Sequence, residues 1–336
     1  MALGREMRRR DFIVKVIVGL ATVWPLGARA QQREKMRRVG VLFLDTEDDP
    51  FTKDTVARLR GGLAKLGWIE GRNLRLDIRS ADGNPDRVRG SATELVGLAP
   101  EVIFVLSAPA TKALQQLTST IPIVFVYVGD PVSQGIVMSI ARPEGNTTGY
   151  TNLFASIAGK CVNLLKDAVP AVARLALIFN PQVYVFEDYL VEIERGAAAR
   201  AVNTIRTPVR NPSEIDRAVE AFAAEPNGAL FLVPPPLTYS NAQLVLKLAV
   251  QRKLPTIFPD PSFAAAGGLM GYGPNTDEVI RGASSYVDRI LRGTKVGDLP
   301  VQFPTKFDLV VNLKTAKQLG FAIPEPFLQS ADEVIE

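Results

Sequence analysis

The sequence predicts an α/β fold of two similar lobes, each built on a parallel sheet. Three observations carry this. From residue 37 onward, short apolar runs alternate with amphipathic helical stretches, the signature of parallel strands covered by helices. That run occurs twice, on either side of a Pro- and Gly-containing stretch, 133–152. With 336 residues, 47% of them hydrophobic, the chain is long enough for two domains that each bury a core.

In order, Val39-Gly-Val-Leu-Phe-Leu44 reads as a strand buried on both faces. A polar loop follows (Asp45, Glu47, Asp48, Asp49), read as solvated rather than metal-binding, and then a helix near 52–66 that Gly67 ends. Strand 73–79, helix 85–98, strand 102–106, helix 109–117 and strand 122–128 complete a first set of four strands. The second set comprises helix 155–168, strand 174–179, helix 185–200, strand 203–209, helix 213–224, strand 229–233, helix 240–251 and strand 255–258. A Gly-rich stretch at 267–273, helix 276–292, an extended segment 299–313 and a helix at 314–319 follow. These last pieces are expected to re-cross the hinge, giving lobe 1 as 31–150 plus 268–303 and lobe 2 as 151–267 plus 304–336.

Composition excludes much chemistry. The chain has no histidine, so a Ser-His-Asp triad, a His-ligated metal and an imidazole switch are ruled out. The single Cys161 can form neither an intramolecular disulfide nor a Cys-rich zinc site and is read as a core residue. No Walker A loop, G-x-S-x-G elbow or G-x-G-x-x-G after the first strand occurs. No cofactor and no metal are therefore expected.

The net charge of +4 is local. Residues 1–30 carry six basic and two acidic side chains, leaving 33 of each sign in the remainder, so no nucleic-acid partner is expected. A basic cluster, the uncharged run Val16 to Ala28 and the ending Ala28-Arg29-Ala30 have the layout of an export signal, with cleavage expected after Ala30. Arg9-Arg10-Asp11-Phe12-Ile13-Val14-Lys15 resembles a twin-arginine (Tat) signal; the general secretory route is the alternative. A periplasmic location is the expectation.

Five strings carry a family resemblance: Leu63-Ala-Lys-Leu-Gly-Trp-Ile-Glu-Gly-Arg-Asn73, Gly129-Asp-Pro-Val132, Ala141-Arg-Pro-Glu-Gly-Asn-Thr-Thr-Gly149, Gly267-Gly-Leu-Met-Gly-Tyr-Gly273 and Phe307-Asp-Leu-Val-Val-Asn-Leu-Lys-Thr-Ala-Lys317. Over about residues 37–336 the chain resembles the substrate-binding proteins of ABC transporters, in the family that includes tryptophan- and phenylalanine-binding members. Glu144 departs from the glycine more usual there. The resemblance implies a type I periplasmic-binding-protein fold, with two Rossmann-like lobes joined by a hinge of three crossings. It also implies a non-enzymatic role, the capture of a small solute, an amino acid or organic acid, by a monomer that serves an inner-membrane permease and its ATPase. Alternatives of another class are a periplasmic enzyme using paired carboxylates, such as a glycosidase, and a sensor domain reporting to a membrane receptor.

Ligand-binding candidates lie where strands end and helices begin. Ser107 and Thr111 open the helix after the third strand and suit a ligand carboxylate, while Ser107 could equally be a plain cap. Asp130 and Asp260, each before a proline at a strand end, suit an ammonium group or a turn. Asn180 could present its amide, and Phe154, Tyr184, Tyr239 and Tyr272 could stack on an aromatic or apolar ligand or serve packing. No catalytic residue is assigned.

Overall fold

Val102-Ile-Phe-Val-Leu106 is buried along its whole length, as a strand covered on both faces must be, and it is the centre of the first sheet. The structure, a computed structural model, describes residues 36–44, 46–82, 84–151, 155–181, 187–234 and 241–336. The expected export signal lies outside these residues.

The first lobe contains β1 (Arg37–Phe43), α1 (Pro50–Lys65), β2 (Leu74–Ser80), α2 (Val88–Gly97), β3 (Val102–Leu106), α3 (Ala108–Leu117), β4 (Ile123–Val128) and β5 (Thr147–Thr151). Its strands are parallel in the order β2-β1-β3-β4-β5, with Val39 opposite Val102 and Ile103 opposite Ile123. Asp49, expected to be solvated, is buried and caps α1, accepting from the Thr52 N–H at 2.9 Å; Glu47 and Asp48 are exposed. The fifth strand corrects the reading of 133–152 as mere connection. Residues Asn146 to Gly149 show no apolar alternation, yet Thr147 and Thr148 are buried because β5 pairs with β4. Gly149 allows that approach: a Cβ there would lie 2.1 Å from the Phe125 carbonyl oxygen.

The second lobe contains α4 (Ala155–Ala168), β6 (Arg174–Phe179), α5 (Glu187–Ala198), β7 (Asn203–Pro208), α6 (Pro212–Ala223), β8 (Gly228–Leu232), α7 (Ala242–Gln251), β9 (Thr256–Phe258), α8 (Ser262–Ala265) and β10 (Met270–Pro274). The sheet is completed by β11 (Phe307–Asn312) and β12 (Glu333–Ile335), with α10 (Leu313–Leu319) and α11 (Glu325–Leu328) between them. Its order is β12-β11-β10-β9-β8-β6-β7, and the β10–β11 pair is antiparallel, so this sheet is mixed rather than parallel throughout. The Gly-rich stretch is itself a strand. From residue 268 the chain was expected in the first lobe, yet β10 is hydrogen-bonded between β9 and β11. A Cβ at Gly271 would meet the Asp260 carbonyl oxygen at 2.3 Å, so the missing side chain is what lets this strand lie so close.

The return to the first lobe is made by α9 (Thr276–Leu291). Asn275 caps it through the Glu278 N–H at 3.0 Å, and its apolar stripe, including Val279, Ile280, Ala283 and Val287, joins the core formed by Val39, Val41, Phe104 and Val126. The chain thus passes between the sheets three times: from β5 to α4, from β10 to α9, and from Gln302 to β11. Gln302 exchanges backbone bonds with Gly149 and Thr151, both 3.0 Å, so the third crossing leaves from beside β5.

Candidate functional site

At the carboxyl edge of the first sheet two neighbouring strands end in unusual backbone. Ser107 follows β3 with φ +101°, and Tyr127, in β4, has φ +56°. Such angles cost a non-glycine residue about 1–3 kcal/mol and persist only where the surroundings enforce them. The two positions are adjacent: Leu106 pairs with Val126, and the Ser107 N–H donates to the Val126 carbonyl at 3.1 Å.

Ser107 precedes α3 without capping it. Its Oγ is buried and finds no hydrogen-bond partner among the described residues. Its carbonyl accepts from both the N–H and the Oγ1 of Thr111, at 3.1 and 2.7 Å. Thr111 is interior, and its hydroxyl donates within the helix. The start of α3 therefore offers uncapped N–H groups and a spare hydroxyl at one place, a combination suited to an anion or another hydrogen-bond acceptor.

The two acidic candidates, alike in sequence, differ in space. Asp130 is exposed, and its Oδ1 accepts from the N–H groups of Val132 and Ser133 at 3.0 and 3.1 Å, which is the turn role. Asp260 is buried; its Oδ1 accepts from the Ser262 N–H at 2.9 Å and Oγ at 2.7 Å. Burial pushes the Asp260 carboxyl above the usual carboxylate range, against the opposing pull of the Ser262 hydrogen bonds.

Asn180 directly follows β6 and is partly buried. Tyr272 lies on β10 and packs on the second-lobe core, its ring nearly parallel to Phe307 at 6.1 Å, which is the packing role. Phe154, Tyr184 and Tyr239 lie outside the described residues.

Sequence reasoning missed Tyr127. A register shift in the β4–β5 pairing between Val126 and Val128 turns its ring onto the same face as Val126, where it meets Phe51 edge-on at 5.1 Å. Bulges of this kind re-aim a side chain, and nothing in the string Val126-Tyr127-Val128 signals one. Its Oη, like Ser107 Oγ, is buried with no partner among the described residues.

The profile of the family described as ABC transporter substrate binding protein matches residues 46–335. The chain belongs to that family. A tyrosine-binding protein of Clostridioides difficile is 25% identical over 257 residues, 76% of this chain and 74% of the relative. Among solved structures, a conserved domain protein from Vibrio cholerae superposes with a TM-score of 0.81 at 29% identity, covering 89% of this chain and all of the other. An ABC domain from Streptococcus pneumonia in complex with L-Trp superposes at 0.80 with 22% identity, covering 90% and 100%. For an ABC transporter substrate-binding protein with this doubly lobed α/β fold, the edge that bears Ser107 and Tyr127 is the side on which open sheets take ligands.

Proposed function

We propose that this substrate-binding protein captures a small amino acid or related organic acid between its lobes, outside the cytoplasmic membrane, and delivers it to an inner-membrane permease driven by its ATPase. The carrying observation is Ser107: a buried hydroxyl with no partner among the described residues, beside the uncapped start of α3 at the carboxyl edge of the first sheet. That arrangement receives a carboxylate without a basic side chain. The relatives' named ligands, tyrosine and L-Trp, both carry one.

In this reading Asn180 and Asp260 face the ligand from the second lobe, Asp260 toward an ammonium group, with Phe154, Tyr184 and Tyr239 available for stacking. The protein performs no chemistry on its solute and works as a monomer. Export with cleavage after Ala30 accounts for the basic N-terminal cluster, and the mature chain starts at Gln31.

A thermal-shift screen over the L-amino acids and small aromatic acids tests this, because a ligand at about 100 times its Kd adds about 2.7 kcal/mol of stability. The expected result is a rise in melting temperature with one or more amino acids and none with their carboxyl amides. Equal stabilisation by acid and amide overturns the carboxylate reading.

A further inference from the structure

The Tyr127 hydroxyl has no use in the site as described above, although the chain bears two costs to place it. The first is backbone: Tyr127 has φ +56°, an angle that an aromatic residue adopts only when held there. It is held from both sides. The carbonyl before it, of Val126, accepts from the Ser107 N–H at 3.1 Å, and the carbonyl after it, of Val128, accepts from the Thr151 Oγ1 at 2.7 Å. The β4–β5 pairing passes from Val126 to Val128 and leaves Tyr127 without an opposite residue on β5. The second cost is the hydroxyl, which is buried with no hydrogen-bond partner among the described residues. Phenylalanine would meet Phe51 as well and carry no such penalty. Position explains the choice. Leu106 pairs with Val126, so Ser107 and Tyr127 stand side by side at the ends of adjacent strands, about 4.8 Å apart in backbone. Phe51 is in the first turn of α1, so the ring that meets it stays at the carboxyl edge of the sheet, where ligands are taken.

We propose that Tyr127 is a specificity-determining residue of the solute site: its hydroxyl oxygen accepts a hydrogen bond from the α-ammonium of an amino acid whose carboxylate lies at Ser107 and the start of α3. Two neighbouring hydroxyls, both buried and unmet by the described protein, suit one molecule that carries two polar groups close together. With a carboxylate at Ser107, the nearest second group is the one on the adjacent carbon. An ammonium has three N–H donors, so one bond to Tyr127 leaves two for the second lobe. The assignment rests on the capture reading and narrows it, from small acids in general to those with an amino group next to the carboxylate.

Tyr127→Phe removes the oxygen and keeps the ring. Without ligand its melting temperature should be no lower than that of wild type, because no bond within the described protein is lost. A lower one shows that the hydroxyl is used inside the fold and overturns the assignment. Binding is measured by calorimetry with the common L-amino acids as probes and, for each that binds, the same acid without its amino group. Tyr127→Phe should weaken the amino acid about tenfold and bind the desamino acid as wild type does. An unchanged affinity for the amino acid, or an equal loss for both acids, overturns the assignment and leaves capture intact. If no L-amino acid binds wild type, the capture reading is at fault and the assignment falls with it.

Discussion

The indole Nε1 of Trp68 donates to Asp288 Oδ1 at 2.7 Å, joining residues 220 apart in the chain. Arg292 completes the knot: its Nε donates to the same carboxylate at 2.6 Å, its guanidinium lies over the Trp68 ring at 5.3 Å, and its other end donates to the Leu66 carbonyl at 3.0 Å. This cluster fastens α9, which arrives from the second sheet, to the turn after α1. Asp288→Ala should therefore lower the unfolding free energy by about 2 kcal/mol, because it leaves a half-buried indole N–H and a guanidinium without their shared acceptor. Urea denaturation checks this, with an unchanged m-value expected.

Two glycines should respond with opposite signs. Gly149→Ala drives a Cβ into the Phe125 carbonyl, and backbone on both strands leaves nothing flexible to yield, so a loss of about 3 kcal/mol or failure to fold is expected. Gly61, in α1, has nothing within 4 Å of an added Cβ, and Gly61→Ala should stabilise by about 0.5–1 kcal/mol. Thermal and urea melts of the two variants side by side decide the matter.

Asp260 should leave a signature in the pH dependence of stability. Its carboxyl is raised in the folded state by burial, so the folded chain holds this proton more tightly than the unfolded chain. The contribution is fully present below the unfolded carboxylate range and is lost as pH rises through the folded one. Relative to wild type, Asp260→Asn should thus gain stability as pH rises from about 4 toward neutrality. Unfolding curves for both proteins across that window measure it; a constant difference would contradict a raised carboxyl.

Ser107→Ala should weaken binding of the captured acid about tenfold while leaving unfolding almost unchanged, because the hydroxyl makes no bond within the described protein. Asp130→Ala, in contrast, removes only two exposed turn bonds and should change affinity little. Calorimetry on the two variants with the acid found by the screen separates these outcomes.

Some strands are legible from the chain alone and others are not. Val39 to Phe43 and Val102 to Leu106 announce themselves, because a strand covered on both faces has to be apolar at successive positions. The stripe of α9 likewise shows an apolar face with a partner to find, though not which sheet supplies it. Thr147–Thr151 and Met270–Pro274 show no such pattern. They are strands because β4 and β9 lie beside them and their glycines permit the approach, and a partner distant in the chain leaves no local periodicity.

Residue type and local order were enough for the class of fold, the exclusion of imidazole chemistry and the resemblance to substrate-binding proteins. They could not choose between Asp130 and Asp260, which stand in near-identical Gly-Asp-Pro and Pro-Asp-Pro contexts. Folding separates the two, leaving one exposed and the other buried. It likewise places Thr111 in the interior and puts Ser107 and Tyr127 in left-handed backbone. Burial and strain are imposed by surroundings: a side chain's charge, its spare hydrogen bonds and its backbone angle are settled by atoms that fold in from elsewhere in the chain.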